Sequence, residues 1–104
     1  MAGASRQETL SGVDYTLRYH PAVRADDLPK FSAEARRRIG RSIEARLGTD
    51  PARFGVPLGG SLRGYWKLRV GDYRVVFKMA NRDVWILAVL HRRDVYERVP
   101  RRLR

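Results

Sequence analysis

Cysteine is absent from the 104 residues, which excludes disulfides and thiolate metal sites. Histidine occurs only twice, at His20 and His91, far apart and without ligand spacing around them. No metal and no cofactor are therefore expected. Long hydrophobic runs are also missing. The longest, Val84 to Leu90, falls well short of the about 20 residues that cross a bilayer. Met1 to Asp14 is polar and lacks the apolar core of a signal peptide. A cytoplasmic protein with no membrane partner is the expectation. Negative charge is scarce: 11 acidic residues stand against 22 Lys and Arg, a net charge of +11.

Such a field draws polyanions to the surface and speeds their capture. Nucleic acid is the first candidate partner, an acidic protein the second, an anionic membrane a distant third. The bland alternative is a solubility surface rich in arginine. Hydrophobic residues make up 43%, enough for one globular domain and too many for a disordered chain. The length leaves no room for a second core.

The order of elements reads β-α-α-β-β-β. Residues 1–12 are small and polar without periodicity, as in a flexible arm. From Val13 to Tyr19 apolar and polar residues alternate, which predicts a strand. Pro21 opens a short helix to about Leu28, closed by Pro29. Ser32 is a helix N-cap with Glu34 in the first turn. Ala35, Ile39, Ile43 and Leu47 follow as one apolar stripe, with Arg36, Arg37, Arg38 and Arg41 mostly off it. Gly48 supplies a left-handed cap, and a loop from Thr49 to Gly60 carries Phe54, Val56 and Leu58 under the sheet edge. Strands are predicted at about 62–70, 73–79 and 83–91, joined by tight turns at Gly71-Asp72 and around Asn81. A basic tail, 100–104, follows the domain at 13–99, with at most one helical turn before Pro100. The fold class is α+β: two N-terminal helices on a small, twisted, mostly antiparallel four-stranded sheet.

If Gly71-Asp72 is the turn, the hairpin register follows. Val70 faces Tyr73, Arg69 faces Arg74, Leu68 faces Val75 and Lys67 faces Val76, with Tyr65 opposite Lys78. Alternation then puts Trp66, Leu68, Val70, Tyr73, Val75 and Phe77 on the core face. Tyr65, Lys67, Arg69, Arg74, Val76 and Lys78 share the other. Arg69 opposite Arg74 costs about 0.2–1 kcal/mol as a like-charge pair, and no carboxylate on that face offsets it. A single arginine there would be a solvated side chain. Four cations and a tyrosine together point to a phosphate site, for which the arginine fork is well shaped.

The segment Gly64-Tyr65-Trp66-Lys67-Leu68-Arg69-Val70-Gly71-Asp72-Tyr73-Arg74-Val75-Val76-Phe77, with the later His91-Arg92-Arg93-Asp94-Val95-Tyr96, resembles the RelE branch of the RelE/ParE toxins. Asp50-Pro51 and Leu58-Gly59-Gly60-Ser61-Leu62 fit the same pattern, and the resemblance spans about residues 13–99. It implies the toxin of a type II toxin–antitoxin system, an endoribonuclease that cuts mRNA in the ribosomal A site and so inhibits translation. It also implies a cognate antitoxin, which should be acidic, in a toxin–antitoxin hetero-oligomer. Arg74 fits the sheet arginine on the scissile phosphate, Lys67 and Arg69 the basic positions of the preceding strand. Arg92 fits the arginine after the third strand, and Tyr96 the C-terminal tyrosine. Tyr65 stands where some members carry lysine, and the segment before Tyr96 is shorter than in the archetype.

RNA carries its own nucleophile, the 2′-hydroxyl. Arg74 and Arg92 are candidates to stabilise the phosphorane. Lys67 or His91 is the candidate proton acceptor, and Tyr96 either stacks on a base or assists proton transfer. Arg69, Lys78, Tyr65 and Arg93 are candidate RNA contacts. Two other functions compete. ParE-type relatives are non-nuclease toxins that inhibit DNA gyrase, and a non-catalytic nucleic-acid-binding domain would need only the charge.

Overall fold

The computed structural model describes residues 15–103. The proposed arm at 1–12 and the first two residues of the predicted first strand lie outside them. Strand β1, Thr16–Tyr19, leads into a π-helical turn at Val23–Asp27 and a 3-10 turn at Leu28–Lys30 that incorporates Pro29. Helix α1, Ala33–Ser42, is capped as the sequence predicts: Ser32 Oγ accepts the Ala35 N–H at 3.1 Å. It continues as a wider π turn, Ile43–Leu47, and Gly48 is right-handed at φ −74°, not left-handed. A one-turn helix α2, Pro51–Phe54, and a two-residue strand β2, Val56–Pro57, occupy the expected loop. Strands β3, Trp66–Val70, β4, Tyr73–Ala80, and β5, Asp83–His91, precede helix α3, Val95–Arg102.

The sheet has five strands, not four, in the order β1-β5-β4-β3-β2. Only β1 pairs in parallel, against β5. The fifth strand escaped notice because two residues leave no alternation to read. Of Phe54, Val56 and Leu58, only Leu58 is buried; Phe54 and Val56 are exposed.

Both faces of the sheet are covered. On one, Leu68, Val70, Val75, Phe77, Val84, Ile86 and Val89 pack against Val23 and the Ile39–Ile43–Leu47 stripe. On the other, Val76, Ala88 and Leu90 pack under Leu58, Leu62 and α3's Val95 and Val99. Helix α3 runs through Pro100, where the sequence suggested a stop. Pro100 has no N–H for the Tyr96 carbonyl, a defect of about 3 kcal/mol in a helix interior. Burial of Val95 and Val99, at about 1.5–3 kcal/mol each, offsets it. Helix α3 thus covers the second face, and Leu103, within the expected basic tail, packs partly buried against the same cluster.

A bulge interrupts β4–β5. Phe77 pairs with Ile86, but Val76 pairs with Ala88, which leaves Leu87 as the extra residue. The shift reverses the parity of every later residue of β5. Ala88 and Leu90 turn toward α3, while Val89 and His91 turn toward the helices.

The β3–β4 turn depends on Gly71, whose φ is +59°. A left-handed conformation costs a residue with a Cβ about 1–2 kcal/mol. The added Cβ would also lie 2.9 Å from Arg38 Nη1, a flexible group that can retreat. Gly71→Ala is expected to lower the melting temperature by about 4–8 °C per kcal/mol lost, and Gly71→Asn by less. Thermal melting checks it, and an unchanged transition would contradict the left-handed turn.

Candidate nucleic-acid interface

The hairpin register places Arg69 directly opposite Arg74, as the turn position predicts. Arg74 does not extend into solvent, however. Its residue is only 9% exposed, because α3 and the 58–62 segment crowd the middle of this face. Its Nη1 donates to Gly71 O at 2.9 Å and to Tyr73 O at 2.8 Å, which folds the guanidinium over its own turn. Burial lowers the Arg74 pKa, and the charges of Arg69 and Arg92 lower it further; Asp72 opposes them. A carboxylate in the turn thus reaches Arg74, although none was expected near this face.

Arg92 is carried to the same hairpin by a backbone hydrogen bond. Its N–H donates to Asp72 O at 2.9 Å. Arg69 and Arg92 are exposed. Lys67, half-buried, sits opposite Val76 and is the diagonal neighbour of Arg74. Such neighbours lie about 7–8 Å apart. Arg93 is exposed on the Arg92–Asp94 turn that follows.

His91 does not join this cluster. Without the Leu87 bulge it would fall on the Arg74 face; with it, His91 pairs with Tyr73 on the opposite face. The two rings meet edge to face at 6.5 Å. His91 Nδ1 accepts the Arg93 N–H at 3.3 Å. It lines a cavity of about 430 Å³ with Lys30, Phe31, Asp94 and Arg98.

Tyr96 is 55% exposed on the first turn of α3, and the buried neighbours are Val95 and Val99. Its hydroxyl accepts the Gly59 N–H at 3.4 Å, a long bond that tethers α3 to the 58–62 segment. Tyr65 and Lys78 lie at the far end of the face, beyond the apolar cover. The single basic face expected from alternation is two separate patches.

One residue was missed. Arg38, assigned to the solvated side of α1, brings its guanidinium against Gly71 at the hairpin tip. Its position in the arginine run carries no signal that distinguishes it from Arg36 or Arg37. Among the described residues, no group of three or more His, Asp or Glu side chains is placed to hold a metal ion. Nor is any helix there long and apolar enough to cross a membrane.

Known proteins share this fold. The family model of the ParE toxin of type II toxin–antitoxin systems matches residues 17–96. The toxin RelG of Mycobacterium tuberculosis is 33% identical over 86 residues, which cover 81% of this chain and 98% of RelG. A chain of the RelBE2 toxin–antitoxin complex of the same organism superposes with a TM-score of 0.71 at 32% identity, covering 77% of this chain and all of that one. The fold recurs in the RelB–RelE complex of Methanococcus jannaschii, with a TM-score of 0.59 at 21% identity over 77% and 95% of the two chains. The chain belongs to the ParE toxin family, within the RelE/ParE superfamily of type II toxin–antitoxin toxins.

Proposed function

We propose that this toxin is an endoribonuclease that cuts mRNA, in the ribosomal A site, by attack of the 2′-hydroxyl on the adjacent phosphorus. The observation that carries the reading is the convergence of Arg69, Arg74 and Arg92, with the central guanidinium fixed in place. Two carbonyl oxygens hold Arg74 Nη1, which leaves Nε and Nη2 as donors of fixed direction. Donors that need no reorganisation are the ones that stabilise developing phosphorane charge best. Burial is the main cause of the lowered Arg74 pKa, and the neighbouring charges of Arg69 and Arg92 add to it.

The 2′-oxygen bonds to phosphorus, the bond from phosphorus to the 5′-oxygen breaks, and a 2′,3′-cyclic phosphate and a 5′-hydroxyl result. In this reading Lys67 takes the 2′-hydroxyl proton, and His91, on the opposite face of the sheet, does not. Tyr96 stacks on a base or assists proton transfer to the leaving oxygen. Arg93 contributes a phosphate contact. The +11 charge requires a neutralising partner, and several solved relatives are toxin–antitoxin complexes. The partner of this chain is accordingly an acidic antitoxin. Sequencing of mRNA ends after expression tests the reading: codon-phased cuts support it. The match to a ParE model favours a second reading, inhibition of DNA gyrase, which predicts DNA breaks with intact mRNA.

Tyr96 separates two roles within the site. Base stacking needs only the ring, so Tyr96→Phe would retain cleavage and Tyr96→Ala would lose about 5- to 150-fold, the range for one base–aromatic stack. A role for the hydroxyl makes Phe as poor as Ala. Neither change should shift melting by more than a few degrees, since the side chain is exposed. Single-turnover cleavage on programmed ribosomes distinguishes them. Full activity in a folded Tyr96→Ala protein would remove the residue from the site.

A further inference from the structure

The second patch on the same face has its own composition. The registers Arg18↔Trp85 and Lys78↔Trp85 put Arg18, Trp85 and Lys78 in one row across β1, β5 and β4. Tyr65, one residue before β3, extends the row beyond Lys78. Trp85 is 37% exposed, unusual for so large a ring on a central strand. The Arg18 guanidinium lies 5.9 Å from the indole centroid and is held by Asp83 at 3.2 Å. Lys78 is exposed and has no ion-pair partner among the described residues. Tyr65, Lys78, Trp85, Leu87 and Leu103 line a shallow cleft of about 170 Å³. The apolar cover formed by Leu62, Val76, Val95 and Val99 separates this cleft from Arg74. Arg74 and Lys78 are four residues apart on one strand, about 13 Å.

We propose that this row is a base-stacking site for single-stranded RNA: an unpaired base lies on Trp85 and its backbone phosphates contact Lys78 and Arg18. The inference rests on the nuclease reading for its substrate, but its binding test does not depend on cleavage. Alternating rings and cations match the alternation of bases and phosphates along a strand. A docked amphipathic helix would instead need a groove of apolar pockets at helical spacing, and here two rings and two leucines line a single shallow cleft. The span of about 13 Å lets one strand occupy both patches, with its scissile phosphate at Arg74 and a base a few nucleotides away on Trp85. The site gives the protein a grip on the message outside the reacting phosphate.

The probe is a 2′-O-methyl RNA hexamer, which has no free 2′-hydroxyl and is not cut. In full-length protein carrying Trp66→Phe, Trp85 is the remaining tryptophan, and the hexamer should quench its fluorescence saturably and less strongly at high salt. In labelled-hexamer anisotropy, Trp85→Ala should weaken binding by about 5- to 150-fold and Trp85→Phe should restore most of it. Lys78→Ala should weaken binding and reduce its salt dependence. Unchanged affinity in a folded Trp85→Ala protein overturns the proposal. So does unchanged hexamer affinity combined with lost antitoxin binding, which would make the row a protein interface. Quenching at Trp85 by a protein that leaves RNA intact would refute the nuclease reading alone. Full cleavage with hexamer affinity indifferent to Trp85 would refute this one alone.

Discussion

Arg74→Ala is expected to reduce RNA cleavage by about 100-fold or more, the scale for loss of one preorganised charge-stabilising donor. Stability should change little, for reasons that partly cancel. The substitution leaves Gly71 O and Tyr73 O without the guanidinium, at about 1 kcal/mol. It also removes the repulsion from Arg69 and Arg92. Arg74→Lys keeps the charge but cannot hold two carbonyls while it presents further donors, so it should rescue little activity. Melting curves and single-turnover cleavage together decide the matter. A folded Arg74→Ala protein that cuts at the wild-type rate would remove Arg74 from the chemistry.

The second large effect concerns stability. Asp27→Ala is expected to cost about 3 kcal/mol, or about 12–24 °C in melting temperature. Strand β1 ends opposite Ile86, so the later part of β5 has an open edge on that side. The Asp27 carboxylate covers it, accepting the Val89 N–H at 2.9 Å. Arg102 grips the same carboxylate with both terminal nitrogens, at 3.0 and 2.8 Å, and donates to Leu87 O. These bonds hold the Arg102 pKa above its ordinary value despite burial. The pair therefore ties the first helical turn and α3 to the edge of β5. Removal of the carboxylate leaves a half-buried guanidinium and an unpaired Val89 N–H. Asp27→Asn keeps an acceptor for Val89 and should cost less. An Asp27→Ala protein that melts within about 3 °C of the parent would show that the staple contributes nothing.

The hairpin was legible because two local rules suffice there. Gly71-Asp72 fixes the turn, and alternation does the rest; the pairs Val70–Tyr73, Arg69–Arg74, Leu68–Val75 and Lys67–Val76 all stand as the sequence predicts. The Ser32 cap and the Ile39–Ile43–Leu47 stripe were equally local. What failed was alternation applied without a bulge. A single extra residue, Leu87, moved His91 from the Arg74 face to the opposite one, and nothing in an apolar run marks where a bulge falls. The helical lid was hidden by Pro100, where a local rule argued for a stop and burial of Val95 and Val99 overruled it. Asp27 and Arg102 are 75 residues apart, so no pattern in the chain joins them. The arginine cluster was therefore readable in its strand residues, while its burial and its division from Lys78 and Tyr65 depend on packing.

The central claim is that the 2′-hydroxyl of the RNA is the nucleophile and the arginine cluster its electrostatic support. The most direct measurement uses programmed ribosomes carrying an mRNA with one 2′-deoxynucleotide at the mapped cleavage position. The account predicts that the unmodified message yields a 2′,3′-cyclic phosphate and a 5′-hydroxyl, and that the single substitution abolishes that cut while others remain. Cleavage that persists at the deoxy position, or RNA left intact while gyrase-linked DNA breaks accumulate, would contradict it.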